Sequence, residues 1–372
     1  LLKQSRHREL PFDDYFEQPL LPWKQSQMGP GIAWADIDGD GDEDCLLAQA
    51  EGSASILSIQ KPDRRLESNP SSVFSSHSKS EDMAPLFFDA DRDGRTDLLI
   101  TSGSIEHPNG DPAYRDRIHL GSGEKGEFSQ AYFLPGEPMS SSVAAAADFD
   151  QDGDLDLFIG GRIVPGRWPT SPGSRLYLNE SEPGTLWFKL ASEEQAGALK
   201  ACQRATSALW SDIDRDGWMD LLVTHEYGPI RVFLNKEGKL QDLTAETGME
   251  KLKGMWYGIA GRDLDGDGDI DDDFNGQGKK KSWKKRVFGK GSGARQKIDE
   301  NLQSDFMGEQ DMSTSADLQS QEQSTQPLRM QGRSITPSAT KTRSSDTNQR
   351  PPGVSEKSDY IMGSSQSMTQ TA

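Results

Sequence analysis

Five copies of one nine-residue pattern constrain the fold of this chain more than any other feature of its sequence. Each copy has aspartate at positions 1, 3, 5 and 9 and glycine at position 6. We call the copies the first to fifth aspartate loops; they span residues 36–44, 89–97, 148–156, 212–220 and 263–271. Neighbouring carboxylates repel one another, so a folded loop of this composition needs a cation among them. Alternating carboxylate oxygens suit Ca²⁺, which takes about six to eight oxygen ligands.

The predicted calcium ligands are the side chains at positions 1, 3, 5 and 9 and the backbone carbonyl at position 7. The glycine at position 6 permits the left-handed backbone turn that folds the loop around the ion. Loop by loop, these residues are Asp36, Asp38, Asp40, Asp42 and Asp44; Asp89, Asp91, Asp93, Arg95 and Asp97; Asp148, Asp150, Asp152, Asp154 and Asp156; Asp212, Asp214, Asp216, Trp218 and Asp220; and Asp263, Asp265, Asp267, Asp269 and Asp271.

The EF-hand begins with a similar loop, but two features exclude it here. An EF-hand needs a bidentate Glu at position 12 and a helix on either side. Position 12 is apolar in all five copies: Leu47, Ile100, Ile159, Val223 and Phe274. Short apolar runs bounded by turn residues flank the first four loops, which is typical of buried strands. Each loop is therefore predicted to join two adjacent strands of one sheet.

The spacing of the loops predicts the repeat unit. Their first aspartates are 53, 59, 64 and 51 residues apart. A second apolar strand recurs within the units, beginning at Arg117, Arg175 and Arg231, and the last of these runs into a hairpin turn with Gly238. Each unit thus holds at least four short strands, which favours a propeller blade over a solenoid coil.

The loops and several longer stretches resemble a known family. The Asp-x-Asp-x-Asp-Gly-x-x-Asp loop between apolar strands resembles the FG-GAP or VCBS repeat of integrin-α-like β-propellers. Residues 19–30, 160–169 and 256–265 are similar to bacterial proteins that carry such repeats with an ASPIC/UnbV domain, relatives of cartilage acidic protein. The resemblance implies a propeller of about seven blades, Ca²⁺ in the loops, secretion or surface display, and no catalytic residues.

The expected architecture is all-β, with four complete four-stranded antiparallel blades and the opening hairpin of a fifth, whose first strand is Tyr257–Gly261. Residues 1–30 are expected to form an N-terminal lead-in, 31–274 a partial propeller, and 275–372 a disordered tail rich in Ser, Thr and Gln. A natural linker, a truncated gene and translation out of frame after about Asp271 are three interpretations of this tail.

Composition and charge bound the partners. Only 33% of residues are hydrophobic and the mean hydropathy is −0.75. The net charge of −19 reflects the aspartate loops and does not by itself indicate a basic partner. No run approaches the ~20 apolar residues of a membrane span, and no signal peptide is visible. The basic run Lys279–Lys297 is interpreted as solvated tail, so we expect no nucleic-acid partner. Cys45 and Cys202 are predicted to be buried free thiols rather than a disulfide.

Two functions of different class follow. The first is a calcium-stabilised module that binds a protein or glycan outside the cell or at its surface and performs no chemistry. The alternative is an enzyme carried on the propeller, such as a polysaccharide lyase or hydrolase. An enzyme needs acid and base groups that converge in a cleft, whereas the dense carboxylates of this sequence lie in the loops. The sequence therefore favours the binding module.

Overall fold

A computed structural model describes residues 6–123 and 126–261 of the chain. The fold is all-β, with one antiparallel four-stranded sheet for each of the first four repeats. We call the sheets the first to fourth blades. In chain order their strands are β1 (Ile32–Ala35), β2 (Asp44–Leu47), β3 (Ile56–Gln60) and β4 (Leu66–Ser68); β5 (Glu81–Phe88), β6 (Asp97–Gly103), β7 (Arg117–His119) and β8 (Tyr132–Phe133); β9 (Ser140–Ala147), β10 (Asp156–Ile163), β11 (Arg175–Asn179) and β12 (Phe188–Leu190); and β13 (Ala205–Ser211), β14 (Asp220–Gly228), β15 (Arg231–Asn235) and β16 (Leu240–Asp242). The predicted fold class is confirmed.

Helices are short and lie between the strands. They are α1 (Asp14–Glu17), α2 (Ser72–Ser75), α3 (Glu193–Ala196) and α4 (Thr244–Thr247), with single 3₁₀ turns at Pro112–Tyr114, Gly197–Ala201 and Met249–Lys251. Within residues 6–123 and 126–261, no helix has the length and apolar character needed to cross a membrane.

Each of the first four aspartate loops joins the first and second strands of its blade, as the sequence predicts. The loops close their hairpins at the same register, because the last residue of the first strand always pairs with the position-9 aspartate. These pairs are Ala35 with Asp44, Phe88 with Asp97, Ala147 with Asp156, and Ser211 with Asp220. The four loops therefore lie at the same end of their blades.

The blades pack face to face through alternating side chains of their second strands. In β6, Leu98 and Ile100 pack against the first blade, while Leu99 packs against the third. This follows from the two-residue period of a strand, which sends neighbouring side chains to opposite faces. The first strands of consecutive blades also contact one another, β1 with β5, β5 with β9, and β9 with β13. Blades arranged in this way are consistent with a β-propeller.

The two cysteines are free and buried, as predicted. Cys202 belongs to the core between the third and fourth blades. Burial raises the pKa of the Cys202 thiol to about 12, so the thiol stays protonated at neutral pH.

The start of the fifth repeat differs from its prediction. Residues 257–261 form no strand; instead β17 (Gly254–Met255) pairs with the end of β14, where Met255 lies opposite Glu226. Gly258 and Gly261 weaken any strand over 257–261, because glycine loses the most conformational entropy on ordering and has no side chain to pack. The fifth aspartate loop and the predicted tail lie outside the described residues.

The N-terminal segment, residues 12–28, crosses several blades at the end opposite the aspartate loops. Leu21 packs with Ile105 after β6 and Ile163 at the end of β10. The Trp23 ring stacks on Tyr227 of β14, with ring centroids 5.2 Å apart and planes inclined by 23°. The segment therefore links the second, third and fourth blades as well as leading into the first.

Candidate metal centres

Each of the four described aspartate loops brings three carboxylates together. Positions 1 and 3 take part in every loop, and one oxygen from each member of a cluster lies within 4.8 Å of the others. Position 5 completes the first cluster and position 9 completes the other three. The clusters are Asp36, Asp38 and Asp40; Asp89, Asp91 and Asp97; Asp148, Asp150 and Asp156; and Asp212, Asp214 and Asp220.

Two hydrogen bonds from backbone N–H groups shape each of the four described loops. The carboxylate at position 1 accepts a hydrogen bond from the glycine N–H at position 6, over 2.9, 3.0, 3.2 and 2.9 Å in the first to fourth loops. The carboxylate at position 5 accepts one from the N–H at position 7, over 2.9, 2.9, 3.2 and 3.0 Å. The position-6 glycines have φ of 87, 82, 93 and 90°, in the left-handed region that favours glycine.

The aspartate at position 9 ties the loop to the third strand of its blade. In the second loop, Asp97 Oδ2 accepts from the Ala90 N–H over 2.8 Å, and Oδ1 accepts from the Gly121 N–H over 2.8 Å. The same two bonds recur in the other loops, from Ile37 and Gln60 to Asp44, from Phe149 and Asn179 to Asp156, and from Ile213 and Asn235 to Asp220. Because these four aspartates are fully buried, position 9 has a structural role whether or not it also binds a metal.

The clustered carboxylates are electrostatically strained. Burial raises the pKa of Asp97 to about 6, of Asp156 to about 7 and of Asp220 to about 6, although backbone hydrogen bonds oppose the shift. Burial, and then the neighbouring aspartates, also raise the pKa of Asp91 and Asp150. A carboxylate whose pKa is raised in this way disfavours its own charge, and a cation among the oxygens reverses that preference.

The position-3 aspartates have the donor atoms with which a metal ion could be held. The Oδ1 atoms of Asp38, Asp91 and Asp150 are buried and have no hydrogen-bond partner within the described part of the chain. A buried carboxylate oxygen without a partner is costly, and a metal ion among the three carboxylates would supply one. The donors are all hard carboxylate oxygens, without His or Cys, which is the donor set that Ca²⁺ prefers.

Position 7 differs from loop to loop. Arg95 forms an ion pair with Asp93 inside the second loop. Asp154 of the third loop lies 3.5 Å from the Arg92 guanidinium of the second. In the first and fourth loops, position 7 is Asp42 and Trp218. The charge of each loop therefore varies with this position, and also with position 4, which is Arg92 in the second loop and Arg215 in the fourth.

Two asparagines that the sequence argument did not identify connect neighbouring blades beneath the loops. Asn179 Nδ2 donates to the Ala90 carbonyl of the second loop over 3.0 Å. Asn235 Nδ2 donates to the Phe149 carbonyl of the third loop over 2.8 Å. Both residues end the recurring strand that begins at Arg175 or Arg231. The recurrence of asparagine at this strand position is the sequence feature that could have identified them.

Comparison with known proteins supports the repeat assignment. The family model of the FG-GAP-like repeat matches residues 36–100, 89–159 and 212–271. No curated protein sequence matches the chain.

Two solved structures align with part of this chain. A lectin from Agrocybe aegerita, solved to show its specific recognition of non-reducing terminal N-acetylglucosamine, has 16% sequence identity and a TM-score of 0.27. That alignment covers 57% of this chain and 66% of the lectin. The V. cholerae biofilm matrix protein Bap1 has 17% identity and a TM-score of 0.31, over 59% of this chain and 32% of Bap1. The chain thus spans less than two thirds of either protein. Together, the family match and the observed sheets show that this chain has FG-GAP-like repeats folded as four-stranded antiparallel blades.

Proposed function

We propose that this chain is a calcium-binding propeller module that recognises a protein or glycan outside the cell or at its surface and performs no catalysis. The observation that carries the proposal is the convergence of carboxylates in each described loop, with a buried, unpartnered oxygen at position 3 in three of them. The carboxylates at positions 1, 3, 5 and 9 would hold the ion, together with the position-7 carbonyl.

The role of calcium in this proposal is structural. Each loop closes a hairpin whose position-9 aspartate also holds the third strand, and Asn179 and Asn235 tie the loops to the blade next to them. Neutralising the charge of a loop therefore stabilises both a blade and its contact with a neighbour. The chain's own residues bind and orient the ion, and no step of chemistry is required of them.

An aromatic patch at the opposite end of the blades is the proposed ligand surface. We define the patch as Trp23, Trp168, Tyr227 and Tyr257. Tyr227 is 45% exposed and Tyr257 is 55% exposed. Trp23 stacks on the Tyr227 ring, and Trp168 meets that ring edge-on with centroids 6.4 Å apart. Aromatic rings with a polar edge are well suited to recognition surfaces, because they combine a large apolar area with a hydrogen-bonding group.

A buried ion pair supports the patch from below. The Arg162 guanidinium donates to Glu226 Oε1 over 2.5 Å, and both side chains are buried. The Tyr257 hydroxyl donates to the same carboxylate oxygen over 3.2 Å. The carboxylate thereby fixes the orientation of one exposed ring, and a pre-ordered surface loses less entropy when it binds a ligand.

Thermal melting tests the calcium half of the proposal. The full chain is melted in EDTA, in millimolar Ca²⁺ and in millimolar Mg²⁺, and we expect the highest Tm in Ca²⁺. Mg²⁺ is the control, because it demands near-octahedral geometry and gives up its water reluctantly. Superimposable melting curves in EDTA and Ca²⁺ would show that calcium does not stabilise the chain.

An oligosaccharide array tests the ligand half. The full chain is applied in Ca²⁺ beside Tyr227→Ala and Trp187→Ala; Trp187 is 60% exposed but lies outside the patch. We expect Tyr227→Ala to weaken binding at least tenfold and Trp187→Ala to leave it unchanged. Equal losses in both variants would argue against the patch, and no binding to any oligosaccharide would leave a protein as the proposed ligand.

A closer relation to ASPIC/UnbV-type proteins is also proposed. It is supported by the similarity of residues 19–30, 160–169 and 256–265 to such proteins. The third of these segments begins at Trp256, next to the aromatic patch.

A further inference from the structure

A lysine side chain lies within the fourth aspartate loop. Lys236 follows Asn235 at the end of β15, and the Asn235 N–H donates to Asp220 Oδ1 over 2.8 Å. This bond holds the start of the next turn above the loop. The Lys236 Nζ donates to Asp214 Oδ2 over 2.7 Å and also to Asp216. The ammonium group therefore bridges positions 3 and 5 of the loop.

The burial of Asp214 distinguishes its contact with Lys236 from a surface ion pair. The side chain of Asp214 is fully buried, and that of Lys236 is 34% exposed. Surface ion pairs contribute little to stability because water and salt screen them. A carboxylate with no contact to water depends much more on the cation that faces it.

The other blades carry different residues at the equivalent position. The backbone N–H groups of Gln60, Gly121 and Asn179 bond to their position-9 aspartates as Asn235 does. Lys61, Ser122 and Glu180 therefore correspond to Lys236 in the three preceding blades. Within the described residues, the Lys61 ammonium forms no ion pair.

The third loop has the opposite charge at this position. The negative charge of Glu180 adds to that of the position-3 aspartate, Asp150. Position 7 of the third loop is Asp154, whereas position 7 of the fourth loop is Trp218. The third loop thus gathers more carboxylates than the fourth, although Lys189 pairs with Glu180 and Arg92 lies 3.5 Å from Asp154. Of these two loops, only the fourth has a lysine bonded directly to the aspartates at positions 3 and 5.

We propose that Lys236 is the built-in cation of the fourth aspartate loop and lowers the calcium affinity of that loop below that of the third. The inference rests on the proposed calcium function for the difference in affinity, but not for the role of the lysine itself. A calcium ion held by positions 3 and 5 must displace the ammonium group, because both cations use the same carboxylates. A unit charge about 4 Å from a divalent ion in water changes its affinity by about thirtyfold.

Calcium titration and melting of the full chain test the proposal with matched variants. Lys236→Gln removes the ammonium group. Lys239→Gln makes the same charge change in the same hairpin but outside the loop, where Lys239 pairs with the exposed Glu194. Glu180→Lys places a lysine at the equivalent position of the third loop. Isothermal titration measures the number and affinity of the calcium sites, and melts in EDTA measure stability without calcium.

We expect Lys236→Gln to gain one calcium equivalent or at least about tenfold in affinity at one site, and to melt at a lower temperature than wild type in EDTA. Glu180→Lys should lose one equivalent or a similar factor in affinity, and Lys239→Gln should match wild type in both measurements. Wild-type behaviour of Lys236→Gln in both assays would overturn the proposal. If no variant binds calcium, the proposed function fails on its own, and the EDTA melts still decide whether Lys236 stabilises the fourth loop.

Discussion

The most informative single substitution is Asp150→Ala in the third aspartate loop. Asp150 occupies position 3, and its buried Oδ1 has no hydrogen-bond partner in the described part of the chain. Burial, and then Asp152 and Asp148, raise the pKa of this carboxyl. In the absence of metal its charge is therefore unfavourable. With a bound cation the same charge becomes a ligand, so the effect of the substitution should change sign with calcium.

The magnitude follows from the linkage between binding and folding. Extracellular calcium modules have Kd values of about 10⁻⁴–10⁻³ M. At about 10 mM Ca²⁺, a site of that affinity stabilises the folded state by roughly 1.4–2.7 kcal/mol. One kcal/mol shifts the Tm of a domain of this size by about 2–4 °C. Loss of one site should therefore reduce the calcium-induced rise in Tm by about 3–11 °C.

The assay compares Asp150→Ala with wild type in EDTA and in 10 mM Ca²⁺ (about one hundred times the tighter Kd above). Glu182→Ala, an exposed acidic residue of the same blade outside the loop, controls for the loss of one negative charge. We expect Asp150→Ala to melt at or above the wild-type temperature in EDTA and below it in Ca²⁺. An equal loss of Tm in both solutions would show that Asp150 acts through packing and not through a metal.

Three further predictions concern the contacts between blades and the pH dependence of stability. Asn235→Ala removes the hydrogen bond to the Phe149 carbonyl and leaves buried groups unpaired, so denaturant unfolding should show a loss of about 1–3 kcal/mol in the free energy of unfolding. An unchanged unfolding midpoint would show that Asn235 does not stabilise the contact between the third and fourth blades. The Tm of the metal-free protein should fall as the pH rises from 5 to 8, because Asp97, Asp156 and Asp220 have pKa values raised to about 6 to 7 and their deprotonation costs more in the folded than in the unfolded chain. A Tm that rises over this range in EDTA would contradict the raised pKa values of these three aspartates. Trp23→Ala should increase hydrogen exchange in residues 12–28 without affecting the loops, because the stack on Tyr227 holds this segment; unchanged exchange would show that the stack contributes little.

Local features of the fold were predictable from the sequence because each aspartate loop specifies its own geometry. The glycine at position 6 requires the left-handed turn, and the apolar residues on either side specify the two strands. The turn between β15 and β16 was also predictable from Gly238. In the structure Glu237 and Gly238 both have positive φ, and the Lys236 N–H donates to the Lys239 carbonyl. These are contacts between residues close in sequence.

Contacts between distant residues were not predictable in the same way. Trp23 meets Tyr227 across most of the described chain, and no sequence pattern pairs them. The position-9 aspartates were predicted as ligands, yet their two backbone hydrogen bonds reach a third strand whose register only the folded blade defines. In the sequence Lys236 is only a turn residue. Its contact with Asp214 depends on how the turn is positioned over the loop in the folded blade.

The strand at Tyr257–Gly261 was predicted by analogy with the other repeats, and it did not form at those residues. Corresponding segments in the other repeats precede a loop and a buried second strand, and they are held by that partner. Here the chain pairs earlier, through Gly254 and Met255, with the end of β14.

A crystal structure grown in Ca²⁺, with anomalous difference maps, tests whether the aspartate loops bind calcium. We expect an ion in the first and third loops, about 2.3–2.6 Å from carboxylate oxygens at positions 1, 3 and 5. We also expect the Oδ1 atoms of Asp38 and Asp150, which lack hydrogen-bond partners among the described residues, to be ligands to these ions. Anomalous maps without a peak in any of the four described loops, at a calcium concentration of several millimolar, would show that these loops do not bind calcium.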